Sequence, residues 1–269
     1  MINFFRKIRQ NLLLKGKTGK PAWPAGRYLK YAIGEIFLVV IGILIALSIN
    51  TWNEERKERN KEINYLKNLK VDLQNEILNS EEFTAYHFRK VQACSKLING
   101  DAPKNIKEVQ VYTDTYETVF GWKDFVPNNN TFKELLSSGN LSLIKNDSIK
   151  NGLLELEKNY ASIAGSEYHM RREYEEYLYD PHVKNISVIE FFDTTTPTTG
   201  LLIRLKAEDI PESKHNKLIT DLKWQHNDQT FTNGLKLALM NNVGLSRKHN
   251  NQIEYINDLI HLIDTEIKK

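Results

Sequence analysis

An apolar run of 18 residues, from Ile36 to Asn53, constrains the fold of this chain more than any other feature, because it contains no charged side chain. At about 1.5 Å per residue a helix over this run would be about 27 Å long, close to the hydrocarbon thickness of a bilayer. Aromatic rings with a polar edge flank the run, as they do at membrane interfaces. We therefore predict a transmembrane helix over residues 31–53. Its predicted interfacial anchors are Tyr28, Tyr31 and Trp52.

Two other interpretations of the run are open. A buried helix of a soluble protein is one, although such helices rarely lack a polar face over this length. A cleaved signal peptide is the other, since Ala46 and Ser48 are spaced like a cleavage site. The basic segment before the run is 30 residues long, far longer than a usual leader. We therefore favour an uncleaved signal anchor.

The charge distribution predicts the orientation of the span. Residues 1–30 hold eight positive side chains and no acidic one, whereas residues 54–62 hold four of each sign. The positive-inside rule then predicts a single-pass protein with its N-terminus in the cytoplasm and its larger part outside. In a Gram-negative cell this means an inner-membrane protein whose larger part lies in the periplasm. We expect residues 1–30 to be a basic tail with an amphipathic helix over 2–14, and residues 54–269 to be the periplasmic domain.

The net charge of +3 for the whole chain conceals this asymmetry. Beyond residue 30 the chain has 29 basic and 34 acidic side chains, so the predicted periplasmic part is mildly acidic. A basic body would indicate a nucleic-acid partner, and this composition does not. The lipid bilayer is the partner that the sequence predicts most directly.

Small residues recur on one face of the predicted span. Gly34, Gly42 and Ala46 are spaced by eight and four residues, which lets two membrane helices approach closely. We interpret them as a self-association face, and we expect a homo-oligomer or a complex with another membrane or periplasmic protein. The alternative is that glycine and alanine are common in membrane helices in general.

The helical pattern continues beyond the span. Residues 54–98 contain neither proline nor glycine, and Ile63, Leu66, Leu73 and Ile77 fit a seven-residue repeat. We predict one helix from the span into a long stalk, ending at the NGDAP segment, 99–103. The last helix carries a 3-4-3-4 seam whose predicted partner is this first extramembrane helix, with a second copy of the chain as the alternative. The seam residues are Ile253, Ile256, Ile260, Ile263 and Ile267.

Capping signals divide the middle of the chain. Thr131 and Glu134 form a T-x-x-E pattern, which predicts a capping box at the start of a short helix. Asn146 or Asp147 is expected to cap the next helix, and Pro181 is expected to end it.

The remaining segments complete an all-α prediction. Residues 104–130 alternate weakly, and we favour a helix over a short strand. Residues 186–206 could form a small β-hairpin or a structured loop. Two more helices are predicted near 216–241 and 245–267, so that the first and last helices close an antiparallel bundle.

The order of motifs resembles a known family. The block "FFRKIRQNLL…KTGK…YLKYAIGEIFLVVIGILIALSINTWNEERK" and the later stretch "NNTFKELLSSGNLSLIKNDSIKNGLLELEKNY" are similar to the N-terminal signature and middle motif of an uncharacterised family of single-span proteins from Gram-negative bacteria. The resemblance covers about 90 residues, which are those quoted. It implies the same topology, and it implies no activity.

Evidence for chemistry in the sequence is thin. We find no glycine-rich phosphate loop, no G-x-S-x-G and no H-E-x-x-H. The single cysteine, Cys94, permits no intrachain disulfide and is expected to be a buried apolar side chain. Acidic and histidine residues on adjacent helical turns could share a cation, but charged neighbours on a solvated face are the simpler interpretation. These residues are His169, Glu173, Glu176, Asp258 and His261. We predict no metal site, cofactor or catalytic residue.

A tyrosine-rich stretch, EYHMRREYEEYLY, is the remaining candidate surface. Tyr168, Tyr174 and Tyr177, with aromatic residues of other segments, could line a cleft or a partner surface, or could pack in a helical core with their hydroxyls at its rim. Those other residues are Trp122, Phe125 and Phe132. We expect a non-enzymatic, membrane-tethered interaction or scaffold protein. A sensory or ligand-binding module that signals through a membrane partner is the alternative.

Overall fold

The computed structural model describes residues 24–187, 192–198 and 201–269, and the chain divides into two units, Met1–Asn60 and Lys61–Lys269. The predicted amphipathic helix over 2–14 lies outside the described residues. The helices are α1 (Pro24–Asn99), α2 (Ile106–Phe120), α3 (Asn130–Ser137), α4 (Asp147–Tyr174), α5 (Asp180–Asn185), α6 (Glu212–Asn227) and α7 (Gln229–Ile267). A small antiparallel hairpin joins β1 (Phe192–Thr198) and β2 (Leu201–Arg204). The predicted all-α class with a minor hairpin is confirmed.

The first unit consists, in its described part, of the N-terminal portion of α1. An 18-residue window of this helix has a mean hydropathy of 2.7, and none of it is buried. By length and composition this helix can cross a membrane, a test that signal sequences and core helices of soluble proteins also pass. Helix α1 runs on to Asn99, where Gly100 donates its N–H to the carbonyl oxygen of Lys96.

The second unit is a bundle in which α7 lies antiparallel to both α1 and α4. Toward one end Lys70 contacts Asp264, with 2.6 Å between Nζ and Oδ1, and further along α1 His87 lies 2.8 Å from Asn242. The predicted pairing of the first and last extramembrane helices is therefore confirmed. Tyr255 of α7 donates to the Gly152 carbonyl of α4 at 3.1 Å.

The buried side of α7 is broader than a two-helix seam, because α7 packs on two helices at once. Of the five predicted seam residues, Ile256 and Ile263 are fully buried, whereas the other three are half-buried at its edge. These three are Ile253, Ile260 and Ile267. The buried line itself runs through His249, Gln252, Ile256, Leu259, Ile263 and Glu266.

Three predicted helix boundaries are wrong. Pro181 does not end a helix, because a π-helical turn over Glu175–Tyr179 precedes it and α5 carries the proline in its first turn, where its missing N–H costs least. The predicted capping box also fails: α3 begins at Asn130, and Asp72 of α1 accepts the N–H of Thr131 at 2.7 Å. A carboxylate from another helix thus replaces the local cap.

The third error concerns the last two helices. The break lies at Asp228, whose side chain accepts the N–H of Phe231 at 2.8 Å and so caps α7. Gly244, near the predicted break, lies inside α7. Asn146 caps α4 as predicted, because its side chain accepts the N–H groups of Ser148 and Ile149.

Candidate functional site: a buried polar layer beneath a strap

A non-helical segment, Gly121–Asn129, crosses the bundle between α2 and α3, and we call it the strap. Its backbone is bound by buried carboxylates of two different helices. The N–H of Phe125 donates to Glu167 of α4 at 3.3 Å, and the N–H of Asn128 donates to Glu76 of α1 at 2.7 Å. A charge-assisted bond of this kind is stronger than one between neutral groups, so the carboxylates define the path of the strap.

Side chains hold the strap at further points. Asn129 of the strap donates its amide to Glu157 at 2.5 Å. The other contacts are Tyr86 hydroxyl to Gly121 carbonyl at 2.6 Å, Asn79 amide to Val126 carbonyl at 3.0 Å, and Lys123 to Glu82 at 2.5 Å. The strap is thereby attached along its whole length to α1 and α4.

Lys90 of α1 lies under the strap with 1% of its surface exposed. Its ammonium nitrogen lies 4.9 Å from the ring centre of Tyr86, 5.4 Å from that of Trp122 and 4.9 Å from that of Tyr174. The nitrogen has no hydrogen-bond partner among the described residues. Three ring faces attract a cation, but they do not replace the lost hydration, so burial lowers the pKa of Lys90 to about 8.

Glu167 of α4 is the acidic counterpart of Lys90, and it is 7% exposed. Burial raises the pKa of its carboxyl to about 7; Asp124 raises it further, whereas the Phe125 N–H and the charge of Lys90 lower it. Its Oε1 atom makes no hydrogen bond within the described part of the chain. Glu167 and Lys90 therefore both titrate near neutral pH, in a region largely closed to water.

Two imidazoles of the same layer are held neutral. Burial lowers the pKa of His87 to about 4 and that of His249 to about 3. The His249 ring lies 5.3 Å from the ring of Phe83 and 5.7 Å from that of His87, and neither of its nitrogens has a partner among the residues described. Asn242 donates to Tyr174 and to the Ala238 carbonyl, so its oxygen is left to accept from His87 Nδ1.

A second carboxylate of the layer is fully satisfied. Glu76 accepts hydrogen bonds from Gln252 of α7 at 2.9 Å and from Ser80, in addition to the strap. Burial raises the pKa of Glu76, whereas the hydrogen bonds from Asn128, Asn79 and Ser80 lower it. Glu76 therefore links α1, α7 and the strap, and its role is to bind structure together.

The chemistry available to this layer is the holding and exchange of protons. Lys90 and Glu167 can both change charge near neutral pH, and the histidines stay neutral there. A nearby cavity of ≈ 10 Å³, lined among others by Asn129 and Tyr160, has room for one water molecule at most. Within the described ranges no group of three metal-ligating side chains occurs.

The structure does not bring the three predicted tyrosines together. Tyr168 is 70% exposed, Tyr177 is half-buried, and Tyr174 is buried beneath the strap. Tyr168 and Tyr174 are separated because residues six apart on a helix point in different directions. Tyr174 instead meets Trp122 edge-to-face at 5.8 Å, which places one predicted aromatic pair in the polar layer.

The other predicted residues have ordinary surroundings. His169 pairs with Glu173 at 3.0 Å on the surface of α4, and Glu176, Asp258 and His261 are exposed. Cys94 is fully buried, and burial raises the pKa of its thiol to about 12. This agrees with a small apolar core side chain.

In the first unit, Tyr31 and Trp52 are exposed, and the side chain of Tyr28 lies outside the described residues. The Trp52 ring lies 5.9 Å from the guanidinium of Arg56. Ala46 is exposed, and a methyl group placed on Gly34 or Gly42 would meet no described atom within 4 Å. The predicted self-association face is thus open on the described chain.

A signal for the polar layer was present in the sequence. The buried 3-4 repeat of α1 runs on past its leucines into polar residues, at Glu76, Ser80, His87 and Lys90. Polar residues at core positions of a repeat indicate a buried network, because their alternative is an unsatisfied polar group. The position of the strap had no such local signal.

A family model described as "Family of unknown function (DUF6090)" matches residues 35–227. No curated protein and no solved structure matches the chain. The matched range includes Glu76, Lys90 and Glu167, whereas His249 on α7 lies beyond it. The predicted likeness to an uncharacterised family is confirmed.

Proposed function

The chain belongs to DUF6090, a family of unknown function, and we propose that this member is a membrane-anchored, non-enzymatic interaction protein. The observation that carries the proposal is that the apolar run and the first helix of the bundle are one helix, α1, without a turn from Pro24 to Asn99. A partner bound to the bundle would thereby be tethered to the membrane.

The proposed orientation has the N-terminus in the cytoplasm of a Gram-negative cell and the bundle in the periplasm. The eight positive charges of residues 1–30, against a balanced segment after the run, support it. A reporter fused after Lys269 is expected to be active only when it is one that folds in the periplasm, and the chain is expected to stay with membranes in alkaline carbonate. A soluble chain, or a reporter active in the cytoplasm, would contradict the proposal.

Exposed apolar side chains support an interaction surface on the bundle. Val71 is 54% exposed, Leu78 is 63% exposed and Phe88 is 55% exposed, and all three lie on α1 away from its buried residues. A photo-crosslinking residue at Leu78 is expected to trap a partner protein in cells, with Glu81, one turn along the same helix, as the matched polar position. A labelling pattern that is equal at both sites would contradict a defined apolar contact.

Self-association of the span has its own test. Gly42→Leu adds bulk to the predicted face and is expected to weaken crosslinking between copies of the full chain in membranes, because close approach needs small residues. Val40→Leu, which adds one methylene in the same span, is the control. Unchanged crosslinking of the Gly42 variant would remove this face from the proposal.

A sensory role is the second candidate, and one observation favours it. Polar groups that change charge near neutral pH, Lys90 and Glu167, converge in the core directly beneath a non-helical strap. A core with only a structural task does not need such groups, since apolar side chains stabilise a bundle more simply.

A further inference from the structure

We propose that the strap is a releasable cover of the bundle, and that proton exchange at Glu167 and Lys90 sets how firmly it is closed. This inference deepens the second candidate function, that of a sensory module. It does not depend on membrane anchoring or on an interaction partner, and the experiment that tests it measures opening of the strap directly.

The attachment of the strap at Glu167 differs from its other backbone attachment to a carboxylate. The bond from the Phe125 N–H to Glu167 is 3.3 Å long, whereas the bond from the Asn128 N–H to Glu76 is 2.7 Å long. The second oxygen of Glu167 is buried and makes no hydrogen bond in the described structure. On opening, water could therefore supply a partner to Glu167, whereas both oxygens of Glu76 already accept hydrogen bonds.

Lys90 is covered by the strap itself. The Trp122 ring, 5.4 Å from the ammonium nitrogen, belongs to the strap, whereas Tyr86 and Tyr174 belong to α1 and α4. Release of the strap would remove one wall of this aromatic cage and admit water to the ammonium group. Closing of the strap therefore removes two ionisable groups from water, the ammonium group of Lys90 and the carboxyl group of Glu167.

The direction of the pH dependence follows from linkage. The closed state raises the pKa of Glu167 from 4.5 to about 7, so between these values it holds an extra proton and acidification favours closing. The closed state also lowers the pKa of Lys90 from 10.5 to about 8. Between these two values the closed state holds one proton fewer than the open state, so in this range rising pH favours closing. The strap is loosest between these ranges, near neutral pH.

Other titratable groups face the pair from each neighbouring element. Asp124 of the strap raises the pKa of Glu167, and Tyr86 and Cys94 of α1 lie within electrostatic reach of the pair. From α7, His249 packs against Phe125 of the strap with 4.9 Å between ring centres. Its pKa is lowered, so acid opposes closing through His249, and a test must separate this effect from that of Glu167.

Hydrogen exchange of the full chain in detergent micelles, followed by mass spectrometry, measures strap opening directly. The comparison is between wild type and Glu167→Gln, at about pH 6 and about pH 7.5, after correction for intrinsic exchange. The ratio of strap protection in wild type to that in the variant is expected to fall about tenfold over this interval. Because both proteins contain His249, its contribution to the pH dependence of strap protection cancels in this ratio. The control is Glu82→Gln, which removes an exposed carboxylate paired with Lys123 of the strap. The ratio of strap protection in wild type to that in Glu82→Gln should be the same at both pH values.

Parallel pH profiles for wild type and Glu167→Gln would overturn the inference, whatever the absolute protection. Lys90→Met gives an independent arm, since it should abolish the gain in protection that wild type shows above about pH 8. If either variant fails to fold, NMR of the labelled wild-type chain decides. The Phe125 amide should then titrate near pH 7, and a flat profile there refutes the proposal. Neither failure bears on the anchored interaction protein proposed above.

Discussion

Replacement of His249 by leucine should stabilise the fold, and increasingly so as the pH falls. His249 is fully buried between Phe83, His87 and Phe125, and its two ring nitrogens have no partner within the described residues. Leucine has a similar volume and no polar atom. Loss of an unsatisfied polar group stabilises by about 1–3 kcal/mol, and loss of the ring contacts offsets part of this gain at neutral pH.

The pH-dependent part of this gain can be worked out separately. The fold lowers the pKa of His249 from 6.5 to about 3, so the folded state disfavours the proton that the unfolded chain takes up below pH 6.5. The resulting loss of stability is absent above that pH and grows as the pH falls toward 3. About pH 5 lies about 1.5 pH units below the pKa of the unfolded chain, so protonation of the unfolded state lowers the stability of the fold there by about 2 kcal/mol. His249→Leu removes this loss.

Thermal unfolding of the full chain in detergent, followed by far-ultraviolet circular dichroism, measures the effect. The difference in Tm between His249→Leu and wild type should be larger at about pH 5 than at about pH 7.5, by about 4–8 °C for a domain of this size. His261→Leu, an exposed histidine on the same helix, is the control and should show no such change. A Tm difference that is independent of pH would refute the argument that His249 is buried in its neutral form.

Further outcomes follow from close contacts and caps. Gly234→Ala should lower Tm, because the new methyl would lie 2.9 Å from the backbone oxygen of Tyr177. A methyl group at Gly165 would meet no described atom within 4 Å, so Gly165→Ala should stabilise α4 by about 0.5–1 kcal/mol. A lower Tm for the Gly165 variant than for the Gly234 variant would contradict this packing. Asp72→Ala should cost about 1 kcal/mol in denaturant unfolding, because the N–H of Thr131 loses its acceptor. Asp72→Asn, which keeps an acceptor, should cost less, and equal losses would argue against a capping role.

The sequence by itself determined the elements that depend on near neighbours. The apolar run, the absence of proline and glycine after it, and the repeat of Leu66 and Leu73 specify α1, because helical periodicity is a property of residues three and four apart. The cap at Asn146 is local in the same sense, since its side-chain oxygen accepts the N–H groups of Ser148 and Ile149. The same repeat predicted that α1 and α7 would pack together.

Tertiary structure alone decided where polar groups meet across the chain. Asp72 caps a helix 59 residues away, and Glu167 binds a strap residue 42 positions distant, so no local pattern specified either bond. The caging of Lys90 likewise needs rings from α1, the strap and α4 at once. A periodic pattern says which side of a helix is buried, but the partner of a buried polar group depends on which helices face that side, and only the folded chain determines this.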